Sequence, residues 1–272
     1  MMTTIIHITL MGYLASTVGY WISLPIKRIV VAKISTWILG CSFLFHTLTL
    51  VIPYIHTDQS SLNSISGALS LFSWIISGAF ILFQTRTKTR ILGVILSPLI
   101  LLVFFAASYQ ITGDRLLPPH LQGPLVTIHV ILSVAGEALF ALVALAGILY
   151  LFQDHFIKKR RFHAMSRLLP PLKDLDQINR FGLLAGFPLL TCGLLSGAVW
   201  AQSVWEHFWL WDPKMIWAFA LWSGYAFILH QRMAIGWQGH KAALLSLVFC
   251  LVFLFSLVVI TLIFPTYHMF SW

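Results

Sequence analysis

The chain has 272 residues, 59% of them hydrophobic and 9% charged, against roughly 25% charged for a soluble domain. Such a composition excludes a water-soluble protein, and apolar runs that are continuous instead of alternating exclude a β-barrel. The net charge of +9 gathers in short connections between the apolar runs, which argues for a membrane and against a nucleic-acid partner.

A helix needs about 20 apolar residues to cross the hydrocarbon core, and about eight runs qualify. The predicted spans cover 4–24, 30–52, 66–84, 91–108, 125–152, 182–203, 214–232 and 242–264. The expected fold is all-α, a polytopic membrane helical bundle of about eight transmembrane helices. It forms a single membrane domain over 1–272, with an N-terminal four-helix half, 1–124, and a second half, 125–272. The first run has neither a cationic leader nor a small-residue cleavage site, so it reads as a retained helix.

Lys27, Arg28 and Lys33 flank the first connection, Arg86, Lys88 and Arg90 fill the third, and Lys158, Lys159, Arg160, Arg161, Arg167, Lys173 and Arg180 fill the fifth. Arg232 and Lys241 bracket the seventh, whereas the even connections carry only Arg115 and Lys214. By the positive-inside rule the odd connections are cytoplasmic and both termini lie outside. The long polar connection 153–181, with Leu168, Leu169, Leu172, Leu175 and Ile178, is expected to lie on the membrane surface as an amphipathic segment. Between Tyr109 and Pro124, the residues Gly113, Pro118, Pro119 and Gly123 mark an irregular lip. Cys41, Cys192 and Cys250 fall inside spans without a CxxC pair and read as small hydrophobes, not redox thiols.

The chemistry concentrates late in the chain. Trp200, Trp205, Trp209, Trp211, Trp217 and Trp222 are six of the eleven tryptophans, crowded into one outer connection and its flanks. An interfacial aromatic belt supplies a ring or two at many helix ends; this density reads instead as a platform, and stacked or edge-on indoles suit a flat, polarizable ligand. Asp212-Pro213 breaks the segment, with Asp212 placed to cap a helix that Pro213 begins.

Gly197-Ala198-Val199-Trp200-Ala201, Trp205, Trp209-Leu210-Trp211-Asp212-Pro213-Lys214 and Trp217-Ala218 resemble the tryptophan-rich WWD segment of haem-handling proteins, in particular the CcsA/ResC family of cytochrome c assembly proteins, with CcmC and CcmF more distant. Leu168-Leu169-Pro170-Pro171-Leu172, Leu175-Asp176 and Gly186-Phe187-Pro188-Leu189-Leu190-Thr191 before the loop add to the likeness. So do Leu229-His230, Arg232 and Gly236-Trp237-Gln238-Gly239 after it. Two places depart from the pattern: Met215-Ile216 stands where many members have Glu-Thr, and Glu206-His207 where small residues are common.

The resemblance implies a membrane subunit of a cytochrome c synthase in a bacterial inner membrane. Haem b would be its bound substrate, presented at the outer face to a CxxCH apocytochrome c. A ResB/CcsB-like membrane subunit and membrane lipid would be its other partners. His129, at the outer end of the fifth helix, and His268, in the outer tail, would ligate iron and flank the 200–217 loop, whose Trp200, Trp205, Trp209, Trp211, Asp212 and Trp217 would face the macrocycle. His230, near the cytoplasmic end of the seventh helix, would serve a second haem site within the membrane. For His46, in the second helix, haem ligation and interhelical hydrogen bonding both stand open. His7 is equally ambiguous, His207 lies inside the platform, and Glu137 lies two turns below His129 on the same helix. No catalytic side chain is implied, since the reacting thiols belong to the apocytochrome. Two other classes are compatible with the pattern: a bis-histidine b-type electron-transfer subunit, and a transporter unrelated to haem.

Overall fold

The structure, a computed structural model, describes residues 2–26, 28–57, 61–87, 90–111, 123–159, 169–208 and 212–263. The elements are α1 (Met2–Ile26), α2 (Ile29–Thr57), a 3-10 turn (Ser61–Asn63), α3 (Ile65–Thr87), α4 (Arg90–Ile111), α5 (Pro124–Lys158), α6 (Leu172–Trp205), α7 (Pro213–Met233) and α8 (His240–Ile263). Among the described residues there is no strand. Helices α1 to α6 are each long and apolar enough to cross a membrane. Helix α7 is not among them, carrying three indoles or charges in place of aliphatics at Trp217, Trp222 and Arg232, and the described apolar part of α8 is His240–Phe253. The chain divides into two compact units, one built on α1 to α4 and the other on α5 to α8.

In the first unit, α1 and α2 approach closely because Gly12 faces Ser42 and Gly19 faces Ser35. Tyr20 Oη and Thr36 Oγ1 are 2.8 Å apart, and Ser16 Oγ donates to the Ser35 carbonyl at 2.9 Å. Trp74 of α3 stacks on Phe43 of α2 and donates to Thr47 Oγ1 at 2.9 Å. Most buried hydroxyls donate to a backbone carbonyl three or four residues earlier, as at Thr9, Ser35 and Ser42. A helix in lipid must satisfy its polar groups internally, and these bonds do so. Outward-facing Met11, Leu14, Trp21, Ile34, Trp37 and Leu44 are exposed, a patch that suits lipid tails better than water.

The second unit rests on α5 and α6, which run antiparallel in a register marked by glycines. Val143 faces Gly182, Gly136 faces Gly186 and Leu190, Ser133 faces Gly193, and His129 faces Gly197. A Cβ on Gly136 would lie 2.9 Å from the Leu190 nitrogen and 3.1 Å from the Gly186 carbonyl oxygen. Without a hydrophobic drive between helices in lipid, this close van der Waals approach is what holds them. Phe140 stacks on Tyr225 with centroids 3.4 Å apart, bringing α7 onto the pair. Phe187 stacks on Trp222, whose Nε1 donates to Thr191 Oγ1 at 2.8 Å. Helix α8 closes the unit, with Gly147 of α5 against the Ala243 backbone and Phe249 against Gly224.

The helices exceed the sequence-based spans. Residues 172–181, expected to lie flat on the surface, are instead the first turns of α6. Leu175, Ile178 and Asn179 are buried there, and Asn179 Nδ2 donates to the Val143 carbonyl at 3.2 Å, so packing on α5 carries the helix beyond its most apolar stretch. At about 1.5 Å per residue, α5 and α6 are each about 50 Å long and overreach the hydrocarbon core.

Gly136→Ala should wedge α5 from α6 and cost about 1–3 kcal/mol, read as a lower thermal midpoint in detergent. Gly40→Ala, whose Cβ meets nothing within 4 Å, should leave that midpoint unchanged or slightly raised.

Candidate functional site

The site is built at the end of the second unit where α5 begins, α6 ends and α7 begins. Pro124 opens α5, and His129 follows in its second turn. Its Nδ1 lies 2.8 Å from the Gly193 carbonyl oxygen and 3.4 Å from Ser133 Oγ. A carbonyl can only accept, so Nδ1 is the donor and the neutral imidazole carries its lone pair on Nε2. The ring lies nearly parallel to Trp200, 15° between planes and 6.0 Å between centroids, and Trp205 meets Trp200 edge-on at 5.1 Å. Trp200 is only 5% exposed, so its indole is a fixed wall.

Helix α6 terminates at Glu206, whose φ of 61° is left-handed and whose N–H donates to the Gln202 carbonyl at 3.1 Å. That conformation favours glycine, and Glu206 adopts it here as the cap of α6. Beyond it, His207 and Phe208 are exposed. Helix α7 starts as its sequence requires: Pro213 is its first residue, and the Asp212 carbonyl accepts from the Ile216 N–H at 3.1 Å. Asp212 is 1% exposed, and Trp217 is half-buried one turn further on.

Of the residues singled out in the sequence, His129, Trp200 and Trp205 are in one cluster, with Asp212 and Trp217 at the same end of the unit. Trp209, Trp211 and His268 lie outside the described residues. His230 is exposed in the last turns of α7, about 25 Å along that helix from Pro213 at 1.5 Å per residue. His46 belongs to the other unit, is fully buried, and has both ring nitrogens engaged: Nδ1 is 2.9 Å from Tyr13 Oη and Nε2 is 3.0 Å from Ser70 Oγ. Glu137 is half-buried on α5. Among the described residues no three His, Cys, Asp or Glu side chains converge as a metal cage. A porphyrin iron asks for less, since the macrocycle fills four positions and the protein adds one or two axial ligands.

The opposite end of the same unit holds a polar cluster that sequence reasoning did not identify. Arg232, 6% exposed, donates from Nη2 to Asp176 Oδ2 at 2.6 Å and to the Asp176 carbonyl at 3.0 Å, and from Nη1 to Asn179 Oδ1 at 3.1 Å. Asp176 Oδ1 accepts from the Gly239 N–H at 2.9 Å, and Asn179 Nδ2 donates to Ser246 Oγ at 2.9 Å. Gly236 and Gly239 take left-handed φ values of 77° and 63°, which let the turn after α7 fold back to reach Asp176. The clamp thus ties α7 and α8 to the start of α6, with Arg232 two residues along the chain from His230. A signal was present, because an arginine and an aspartate at the margins of apolar helices are costly unless paired.

Residues 41–268 match a family described as "Cytochrome C assembly protein". A protein of Prochlorococcus marinus (strain MIT 9215) named "Cytochrome c biogenesis protein CcsA" is 30% identical over 264 residues, covering 85% of each chain. Proteins of the same name are 28% identical in Guillardia theta, over 88% of this chain and 86% of the relative, and 29% identical in Chlorella vulgaris, over 74% of each.

Asp176→Leu should strand the Arg232 guanidinium and cost about 3–5 kcal/mol in thermal unfolding. The double variant Asp176→Leu/Arg232→Met should recover most of that loss.

Proposed function

Since the chain belongs to the cytochrome C assembly protein family, we propose that it is the haem-handling membrane subunit of a cytochrome c synthase. Haem b is its substrate. It is held at the tryptophan end of the second unit against Trp200, Trp205, Trp209, Trp211 and Trp217 near Asp212, with iron between His129 and His268. The observation that carries this reading is the hydrogen bond from His129 Nδ1 to the Gly193 carbonyl, the arrangement by which proteins orient an imidazole that binds metal through Nε2. The near-parallel indole of Trp200 supplies an apolar wall beside it.

Two imidazoles saturate the axial positions and shield the iron from oxygen. Apocytochrome c of CxxCH type docks at the outer face. Each cysteine S–H adds across a haem vinyl group: sulfur bonds to one vinyl carbon, the hydrogen ends on the other, and no electrons are gained or lost overall. The histidine of the apocytochrome replaces one axial ligand. The chain contributes orientation, for which effective molarity is the catalytic currency, and needs no nucleophile of its own. His230, at the opposite end of α7, serves a second haem position on the way from the cytoplasm, completed by a ResB/CcsB-like subunit in the bacterial inner membrane. Family membership favours this assembly role over the b-type electron carrier and the unrelated transporter.

The protein purified in detergent from haem-sufficient cells should show oxidised and reduced spectra of six-coordinate haem. His129→Ala/His268→Ala should lose the greater part of that haem. Unchanged haem in the double variant would remove the axial assignment, and a colourless wild-type preparation would remove the function.

A further inference from the structure

We propose that the face of α6 formed by Gly193, Ser196 and Gly197 is a positioning cradle for His129, fixing its tautomer and ring plane so that Nε2 is the atom offered to haem iron. The inference rests on the haem reading of the site and deepens it.

The two glycines differ in what they make room for. A Cβ on Gly193 would meet the backbone of α5, 2.9 Å from the Ser133 nitrogen and 3.0 Å from its Cα, so this glycine serves helix packing. The three atoms nearest a Cβ on Gly197 all belong to the imidazole, 2.7 Å to both Cε1 and Nδ1 and 3.5 Å to Cγ. The closest neighbour for which Gly197 makes room is therefore the ring.

The ring seated against Gly197 is held at further points. Nδ1 donates to the Gly193 carbonyl, which also accepts from Ser196 Oγ at 2.9 Å, and Ser133 Oγ stands 3.4 Å from the same nitrogen. Trp200, three residues beyond Gly197, limits tilt by lying 15° from the ring plane, and Trp205 in turn braces Trp200 edge-on. A backbone carbonyl cannot donate, so any neutral state of this imidazole keeps its hydrogen on Nδ1. Donation from Nδ1 raises the basicity of Nε2 as a ligand, and such outer partners typically change metal affinity by about 10–100-fold. A more basic axial ligand stabilises ferric over ferrous iron, so the cradle also lowers the potential of the bound haem.

The test compares Gly197→Ala, His129→Ala, His129→Gly and His129→Gly/Gly197→Ala in the full chain, purified in detergent with the haem it carries. Gly197→Ala should retain about tenfold less haem than wild type, and its remaining haem should show an upward-shifted midpoint potential and an altered low-spin ferric signal. Added imidazole should restore that signal in His129→Gly and equally in His129→Gly/Gly197→Ala, because a free imidazole is not forced into the methyl group. Wild-type behaviour of Gly197→Ala, alongside a lost signal in His129→Ala, would overturn the cradle and leave the haem reading standing. Rescue of His129→Gly without rescue of the double variant would assign Gly197 to helix packing and also overturn it. An unchanged signal in His129→Ala would defeat the haem reading itself, and the cradle with it.

Discussion

The closeness of α5 and α6 is the constraint on which the second unit depends. Glycines at 136, 182, 186, 193 and 197 let two long helices pack almost backbone to backbone. That distance lets a side chain on one reach main-chain atoms on the other. The same contact sets both ends. At one, His129 meets the Gly193 carbonyl; at the other, Asn179 meets the Val143 carbonyl and stands where Arg232 joins it to Asp176. A bulkier interface would separate the helices and disconnect both groups.

His46 and His129 show how different two histidines on apolar helices can be. His46 sits between hydroxyls of Tyr13 and Ser70, which can each donate or accept. Its hydrogen bonds bind α1, α2 and α3 together, and Phe104 of α4 packs on the ring at 4.1 Å. His129 meets an oxygen that can only accept, which dictates where its proton sits. The first arrangement suits a structural crosslink, the second a ligand. The buried ion pair of the unit, Arg232 with Asp176, is kept at the far end, away from Trp200 and Trp205.

Much of this was legible in the chain. Continuous apolar runs reveal the helices because lipid leaves the backbone no other partner, and Asp212-Pro213 marks the start of α7 because proline suits a first helical position. Hydropathy misplaces the ends of α5 and α6 since it registers only the apolar middle, whereas Leu175, Ile178 and Asn179 extend α6 by packing. The spacing of Gly182 with Gly186, and of Gly193 with Gly197, was a readable sign of close helix contact. Which helix answers them was not readable, because register is a property of two segments together. The pairing of Asp176 with Arg232, and the acceptor of His129, depend on that register and were hidden for the same reason. The density of tryptophans suggested an aromatic platform, but the placement of Trp200 between His129 and Trp205 required the fold.

The central claim is that His129 binds haem iron through Nε2 while Nδ1 stays on α6. An experimentally determined structure of the haem-loaded protein, at a resolution that separates the two ring nitrogens, tests it most directly. It should show iron bonded to His129 Nε2, Nδ1 still donating to the Gly193 carbonyl, and the porphyrin edge beside Trp200. Iron bonded through Nδ1, or a haem whose axial ligands do not include His129, would contradict the account.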